Sequence, residues 1–271
     1  MIKSKISGGP YLVWMIIFIV FPLILVAVYA FTGDDNSFTL ENLSGMGQYV
    51  PILASSIWLA AIATVICLII AFPLAFMVSR MSVRMQSLML MLLMLPMWMS
   101  FLLRTYAWMS LLENNGLINR LLGLIGMGPF QMINTQGAVV LGMVYNYLPF
   151  MILPLYSVMT KIDNSLIEAA EDLGAGRSKV LSRILIPLSS PGIKTGIIMV
   201  FVPSISTFII SRMLGGGENL LIGDLIEMQF LGNSYNPYLG SAMALVLMVI
   251  VLLCMSIAGG TNDEQKEEML I

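Results

Sequence analysis

Six apolar stretches, each near the length that crosses a bilayer, leave this 271-residue chain few ways to fold. A helix needs about 20 apolar residues to cross the hydrocarbon core. That filter selects approximately Tyr11 to Phe31, Ile52 to Ser79, Met85 to Leu112, Gln136 to Ser157, Ile193 to Met213 and Leu239 to Gly259. Inside a bilayer no water satisfies an open backbone, so such segments are helical, and the expected fold class is an all-α membrane protein with six transmembrane helices. Composition agrees: charged residues make up 10% of the chain, against roughly 25% in soluble domains, and the mean hydropathy is +0.92. Pro22, Pro73, Pro96, Pro149, Pro154 and Pro203 fall inside the apolar runs. They are expected to kink these helices, because neighbouring helices re-satisfy the carbonyls that proline frees.

The first run follows Lys3 and Lys5 but is too long for the apolar region of a secretion signal, and "AVYAF" is no small-residue cleavage site, so it is expected to be a retained helix. The chain has no histidine, and its two cysteines, Cys67 and Cys254, lie in apolar runs. They are expected to pack as small apolar residues, and no metal site can be assembled. A net charge of -2 is too small to suggest a nucleic-acid partner.

Basic residues near short loops stay on the cytoplasmic side. With the N-terminus inside, Lys3, Lys5, Arg80, Arg84, Lys161, Arg177, Lys179, Arg183, Lys194 and Lys266 fall inside, leaving Arg104, Arg120 and Arg212 outside or near the outer face. Both termini are therefore expected to be cytoplasmic. Residues 1–50 would form the tail, first helix and outer loop, residues 51–260 a five-helix core, and residues 261–271 an acidic cytoplasmic tail.

The longest cytoplasmic loop then contains "EAAEDLGAGRSKVLSRILIP", Glu168 to Pro187. Ser165 and Glu168 have the spacing of a capping box, Gly174 suits a left-handed helix stop, and Pro187 is expected to end a second short helix that begins near Arg177. This pattern alone fits an amphipathic helix pair at the membrane surface. The loop also matches E-A-A-x3-G-x9-I-x-L-P, with Ile186 in place of the usual Leu, and so resembles the permease subunits of ABC importers. "FTGDDNSFTLENL", "LPFMILPLYSVMTKID", "LIEAAEDLGAG" and "GGGENLLIGDLIEMQFL" extend the resemblance over nearly the whole chain, to the spermidine/putrescine branch of the binding-protein-dependent type I importer permeases.

That resemblance implies an ATP-driven importer with a second permease subunit, two cytoplasmic ATPase subunits that bind ATP and Mg, and an extracytoplasmic solute-binding protein, all at a bacterial inner membrane. It implies that this chain is non-catalytic and binds no cofactor; no Walker motif occurs in it. The loop would be the coupling helix between helices 4 and 5, with Glu168, Ala169, Ala170, Leu173, Gly174, Ile184 and Pro187 at or near the ATPase. Arg177, Lys179 and Arg183 would face either membrane lipid or acidic ATPase residues.

A polyamine crossing a low-dielectric interior needs acidic, carbonyl or aromatic partners. The six runs hold no Asp or Glu, so carboxylates at the membrane midpoint would come from the second permease. This chain offers Tyr145, Asn146, Tyr147, Ser204, Ser206 and Thr207, residues that equally suit interhelical hydrogen bonding. Asp224 and Glu227 are candidates for an outer vestibule or for docking the binding protein, or are a solvated loop; Arg104 is expected to snorkel or bridge helices. A permease for another small solute, such as an amino acid, sugar or anion, has the same sequence physics. A secondary transporter would carry coupling acids inside its helices and often an inverted repeat.

Overall fold

The structure, a computed structural model, describes residues 9–259 apart from 34, 36 and 233. Lys3, Lys5, Asp34, Lys266 and the acidic tail over 261–271 lie outside the described residues.

The chain opens with α1 (Gly9–Met15), a π-helical turn (Ile16–Val20) and α2 (Phe21–Ala30). The short α3 (Glu41–Gly45) and a 3-10 turn (Met46–Tyr49) lead into α4 (Val50–Ser79). Next come α5 (Val83–Met94), a 3-10 turn (Leu95–Trp98), α6 (Phe101–Leu112), α7 (Leu117–Leu124) and α8 (Gln136–Met159). The loop region contains α9 (Asn164–Asp172), α10 (Arg177–Val180), a second π-helical turn (Leu181–Leu185) and α11 (Ile186–Leu188). The chain then continues through α12 (Ser190–Ile205), α13 (Ile209–Leu214), α14 (Ile222–Leu231) and α15 (Pro237–Gly259).

Among the described residues four unbroken helical rods are long and apolar enough to span a bilayer: Pro10–Ala30, Glu41–Ser79, Gln136–Met159 and Pro237–Ser256. Two further helix pairs pass the same test only when taken together, Val83–Trp98 with Phe101–Leu124 bent by 87° and Arg177–Leu188 with Ser190–Ile205 bent by 69°, which makes six spans where each pair counts as one.

α4, α8 and α12 form the centre. Ala60, Ala63, Thr64, Cys67, Ala71 and Ala75 recur every three or four positions along α4 and are all buried. Lipid is as apolar as leucine, so helices in a bilayer gain most from close backbone approach, which within this small-residue stripe Ala63, Cys67, Ala71 and Ala75 permit against α8 and Ala60 against α12, α14 and α15. Gly192 and Gly196 do the same for α12: a Cβ on Gly192 would sit 2.8 Å from the Pro154 carbonyl oxygen of α8. Cys67 is buried in the stripe and both cysteines are free, in keeping with their reading as packing residues. The first rod packs against α15 at one end, where Tyr29 meets Tyr238 edge-on with ring centroids 5.7 Å apart.

The prolines do more than kink. In the third apolar run, Pro96 lies in the 3-10 turn, Met99 is extended at φ -80 and ψ 150, and α6 starts afresh at Phe101. The expected single helix over Met85 to Leu112 is therefore two helices at a steep angle. In the fifth run, α12 stops at Ile205, two residues after Pro203, and Ile209–Leu214 is a separate helix, so the expected span over Ile193 to Met213 is interrupted at residues 206–208. At its other end α12 starts earlier than expected, at Ser190, with Pro191 in its first turn. A proline in the first turn lacks only an N–H that would have gone unpaired anyway.

Both π-helical turns precede a proline. The amides of Phe21 and Ile186 reach back five residues, to the carbonyls of Ile16 and Leu181, just before Pro22 and Pro187. The widened turn accommodates a ring that would otherwise strike the preceding turn of helix. Pro187 consequently does not end the second loop helix, which runs on to Leu188 before the 69° bend.

Candidate functional site

The Glu168 to Pro187 loop is held by a small set of contacts. Asp163, not Ser165, is the N-cap of α9: its Oδ1 accepts from the Ser165 amide at 3.0 Å, so the helix starts at Asn164 and the expected Ser165–Glu168 capping box is not formed. A carboxylate placed two residues ahead of a free amide satisfies it with a charge-assisted bond, which favours Asp163 over the serine. The Ser165 amide and hydroxyl, with Arg80 adding to them, hold the Asp163 carboxyl below the ordinary range. At the other end Gly174 takes φ +81, its amide donates to the Glu171 carbonyl at 2.9 Å, and the Ala175 amide donates to the Ala170 carbonyl at 2.9 Å. These paired bonds are a Schellman stop, with Ala175 and Ala170 both packed on the core beneath.

Two apolar faces result on one short helix. Ile167 and Ala170 pack on the cluster built around Met151, Leu155, Met159, Val180 and Leu185. Leu166, Ala169 and Leu173, at i, i+3 and i+7, are exposed in a row, and Leu173 is 89% exposed. Glu168 and Gly174 are also exposed, Ile184 is half-buried and Pro187 is exposed. Of the residues selected from sequence, Ala170 therefore faces the protein's own core, while Leu166 joins the outer row and was missed because it lies outside the signature. Arg80, at the end of α4, ties the loop to the bundle: its Nη1 donates to the Ile162 carbonyl at 2.9 Å and contacts the Asn164 Oδ1. Sequence alone read Arg80 only as a topology charge.

The second constellation surrounds the interruption of the fifth span. Pro203, Ser206 and Thr207 sit where α12 ends, and a Cβ on Gly223 would lie 2.6 Å from the Ser206 carbonyl oxygen, so the start of α14 presses directly on the break. The Tyr147 hydroxyl of α8 donates to the Pro203 carbonyl at 3.4 Å, with Thr207 and Arg104 close enough to act on it. Ser206 and Glu227 line one cavity of about 440 Å³ between the break, α14 and α15. Asp224 is fully buried; its Oδ2 accepts from the Leu221 amide at 2.8 Å, and Arg212 Nε is 3.9 Å from Oδ1. Arg212 Nη1 donates to Glu227 Oε1 at 3.1 Å, so one guanidinium serves two carboxylates. Asp224 and Glu227 thus belong to an ordered triad with Arg212 and not to a freely solvated loop.

Of the remaining sequence candidates, Ser204 lies beside the break on α12 and Arg104 lies near Tyr147, whereas Tyr145 and Asn146 are engaged elsewhere. Tyr145 packs edge-on against Trp108 of α6 with centroids 5.4 Å apart. Asn146 donates to the Gly142 carbonyl at 2.9 Å and Ser204 to the Val200 carbonyl at 2.7 Å, each one turn back on its own helix. Arg104 does not snorkel. It is 8% exposed, lies over the Phe101 ring, and its Nε and Nη1 find no acceptor.

Comparison with known proteins gives the family. Residues 3–260 match the family described as binding-protein-dependent transport system inner membrane component. The chain belongs to this family. The permease is 38% identical to the spermidine/putrescine transport system permease protein PotB of Haemophilus influenzae, over 92% of this chain and 91% of that one. Against the protein of the same name from Escherichia coli K12 the identity is 36%, over 88% and 90% of the two chains. Among solved structures, a bacterial ABC transporter that imports the acidic polysaccharide alginate aligns with a TM-score of 0.78 at 17% identity, covering 96% of each chain. That likeness shows the fold.

Burial pushes the Asp224 carboxyl of the permease up, against the downward pull of Ser211, the Leu221 amide and Arg212. A carboxyl raised on folding holds its proton longer in the folded state, so stability falls as pH rises from the ordinary Asp range to the folded value. Asp224→Asn cannot ionise and is expected to remove that part of the slope in a thermal-unfolding series across pH; identical slopes in both proteins would count against a raised Asp224. Asp224→Ala additionally orphans the Leu221 amide and is expected to cost about 1–3 kcal/mol.

Proposed function

We propose that this chain is a polyamine permease subunit of an ATP-driven importer, taking solutes of the spermidine/putrescine class. It forms half of the translocation pathway with a second permease, receives solute from an extracytoplasmic binding protein, and is driven by two ATPase subunits that bind ATP and Mg. The loop and both termini lie on the cytoplasmic side. The observation that carries the coupling assignment is the exposed row Leu166, Ala169 and Leu173 on a helix whose opposite face is anchored in the core. Such a helix offers a cleft an apolar edge and passes a push from that cleft to the 69° bend and hence to α12. The polyamine assignment is supported by the names of the relatives at 36–38% identity.

Electrostatics selects the route within this half. A buried cation at Arg104 opposes a cationic solute, whereas the cavity of Ser206 and Glu227 adjoins a triad with one carboxylate in excess when Asp224 is ionised. The solute is therefore expected to pass on the α14–α15 side of the break; Tyr147 of α8 reaches the Pro203 carbonyl at that break. Uptake of labelled spermidine into proteoliposomes holding all subunits tests this. Glu227→Gln is expected to raise KM for uptake, and Tyr147→Ala to cost about 0.5–2 kcal/mol if the ring meets the cation. Tyr145→Ala, which loses its contact with Trp108, is expected to lower thermal stability more than uptake. Absence of spermidine and putrescine uptake by a complete, ATP-hydrolysing complex would overturn the polyamine reading while leaving the coupling assignment in place.

A further inference from the structure

A cavity of about 780 Å³ lies between the end of α4 and the loop. Eleven of its thirteen lining residues are apolar, among them Phe72, Pro73 and Phe76 of α4, Leu181 of the π-helical turn, Ile186 of α11, and Ile193 of α12. The other two are Glu171 and Arg177, one acid and one base, both exposed, and no ion pair joins them among the described residues. A chamber with such walls does not hold ordered water, which needs several polar partners.

We propose that this chamber binds one aminophospholipid of the phosphatidylethanolamine type, with an acyl chain inside, the phosphate on Arg177 and the ammonium on Glu171. Charge complementarity selects this occupant. A guanidinium pairs with phosphate oxygens through its planar fork, and a carboxylate accepts from a primary ammonium. A purely anionic lipid would place its headgroup against Glu171 with no cation to offer, and a choline headgroup has a cation but no N–H to donate. The ATPase is not the expected occupant, because Leu166, Ala169 and Leu173 face away from the core while Ile167 and Glu171 line the chamber from another face of α9. The lipid would fill the space between α4 and the loop and so stiffen the lever against the bundle, whatever solute is carried.

The test is thermal unfolding of the purified transporter in detergent, with and without its ATPase subunits, after addition of phosphatidylethanolamine, phosphatidylcholine or phosphatidylglycerol of matched chains. The ethanolamine lipid is expected to raise Tm by several degrees more than the other two. Glu171→Gln and Arg177→Gln should each abolish that difference without lowering Tm in phosphatidylcholine, and Ile186→Trp, which fills the chamber, should abolish it independently. Bound lipid counted by native mass spectrometry should fall in parallel. Equal shifts from all three lipids, a preference for phosphatidylglycerol, or an ethanolamine preference that survives both charge variants would overturn the proposal. So would an ethanolamine effect seen only when the ATPase subunits are absent, because an ATPase segment would then be the occupant.

Discussion

Gly192→Leu is expected to leave little folded permease, and the two glycines of α12 should separate in an order opposite to their nearest distances. A Cβ at Gly196 would come within 2.5 Å of an atom of Met151, closer than the 2.8 Å approach at Gly192. The atom at Gly196 is the methionine sulfur, the far part of a flexible side chain that can move, and the next contact is an ordinary 3.4 Å. At Gly192 the neighbours are the Pro154 carbonyl oxygen and carbon and the Leu155 Cα, all backbone of α8. They yield only if the two helices part. Alanine at Gly196 should therefore be nearly neutral, whereas alanine at Gly192 should incur an overpacking cost of about 1–3 kcal/mol and leucine more. The measurements are the yield of monodisperse protein and Tm for the three variants beside wild type. A Gly192→Ala protein as stable as wild type would show that α8 and α12 do not pack as closely as described.

The apolar runs show the helical membrane class, because hydrocarbon allows only one solution for a long uncharged segment. They did not tell where a span breaks. Pro149 and Pro154 sit inside α8 without ending it, while Pro96 and Pro203 precede interruptions. Which prolines break a helix is a tertiary outcome that spacing cannot supply, as is the Tyr147 hydroxyl reaching the Pro203 carbonyl where α12 ends. The loop was legible as a helix with a glycine stop because those signals are local. Its cap was misread by two residues: Asp163 and Ser165 are both good caps, and the choice was decided by the geometry of the turn leaving α8 beside Arg80. The Gly192-x3-Gly196 pattern was available in the sequence and went unused, since small-residue spacing becomes informative only once a partner helix is known. The Arg212–Asp224–Glu227 triad joins residues on two helices across a glycine-rich turn, so its parts were visible and its pairing was not.

Gly174→Val is expected to separate ATP hydrolysis from transport while leaving the membrane bundle intact. Nothing lies within 4 Å of a Cβ built on Gly174, so crowding is not the cause. The cause is φ +81, which a β-branched residue adopts only at about 1–2 kcal/mol or more. Relief requires the turn to change, and the turn is held by the two Schellman bonds, Gly174 to Glu171 and Ala175 to Ala170. Losing them frees Ala175 from the core and re-aims the segment from Arg177 onward, together with the exposed Leu173 beside it. The spans are anchored elsewhere, by the small-residue stripe of α4 and the glycines of α12, and should keep their Tm. Gly174→Asn is the control, because asparagine tolerates the left-handed region and should retain most transport. Under the proposed coupling, the valine complex hydrolyses ATP without moving spermidine, or fails to retain the ATPase subunits. Uptake, ATPase rate and co-purification are measured on one reconstituted sample for wild type, Asn and Val. Normal uptake with normal retention in the valine variant would remove the Gly174 turn from the coupling path and leave the exposed row without that lever.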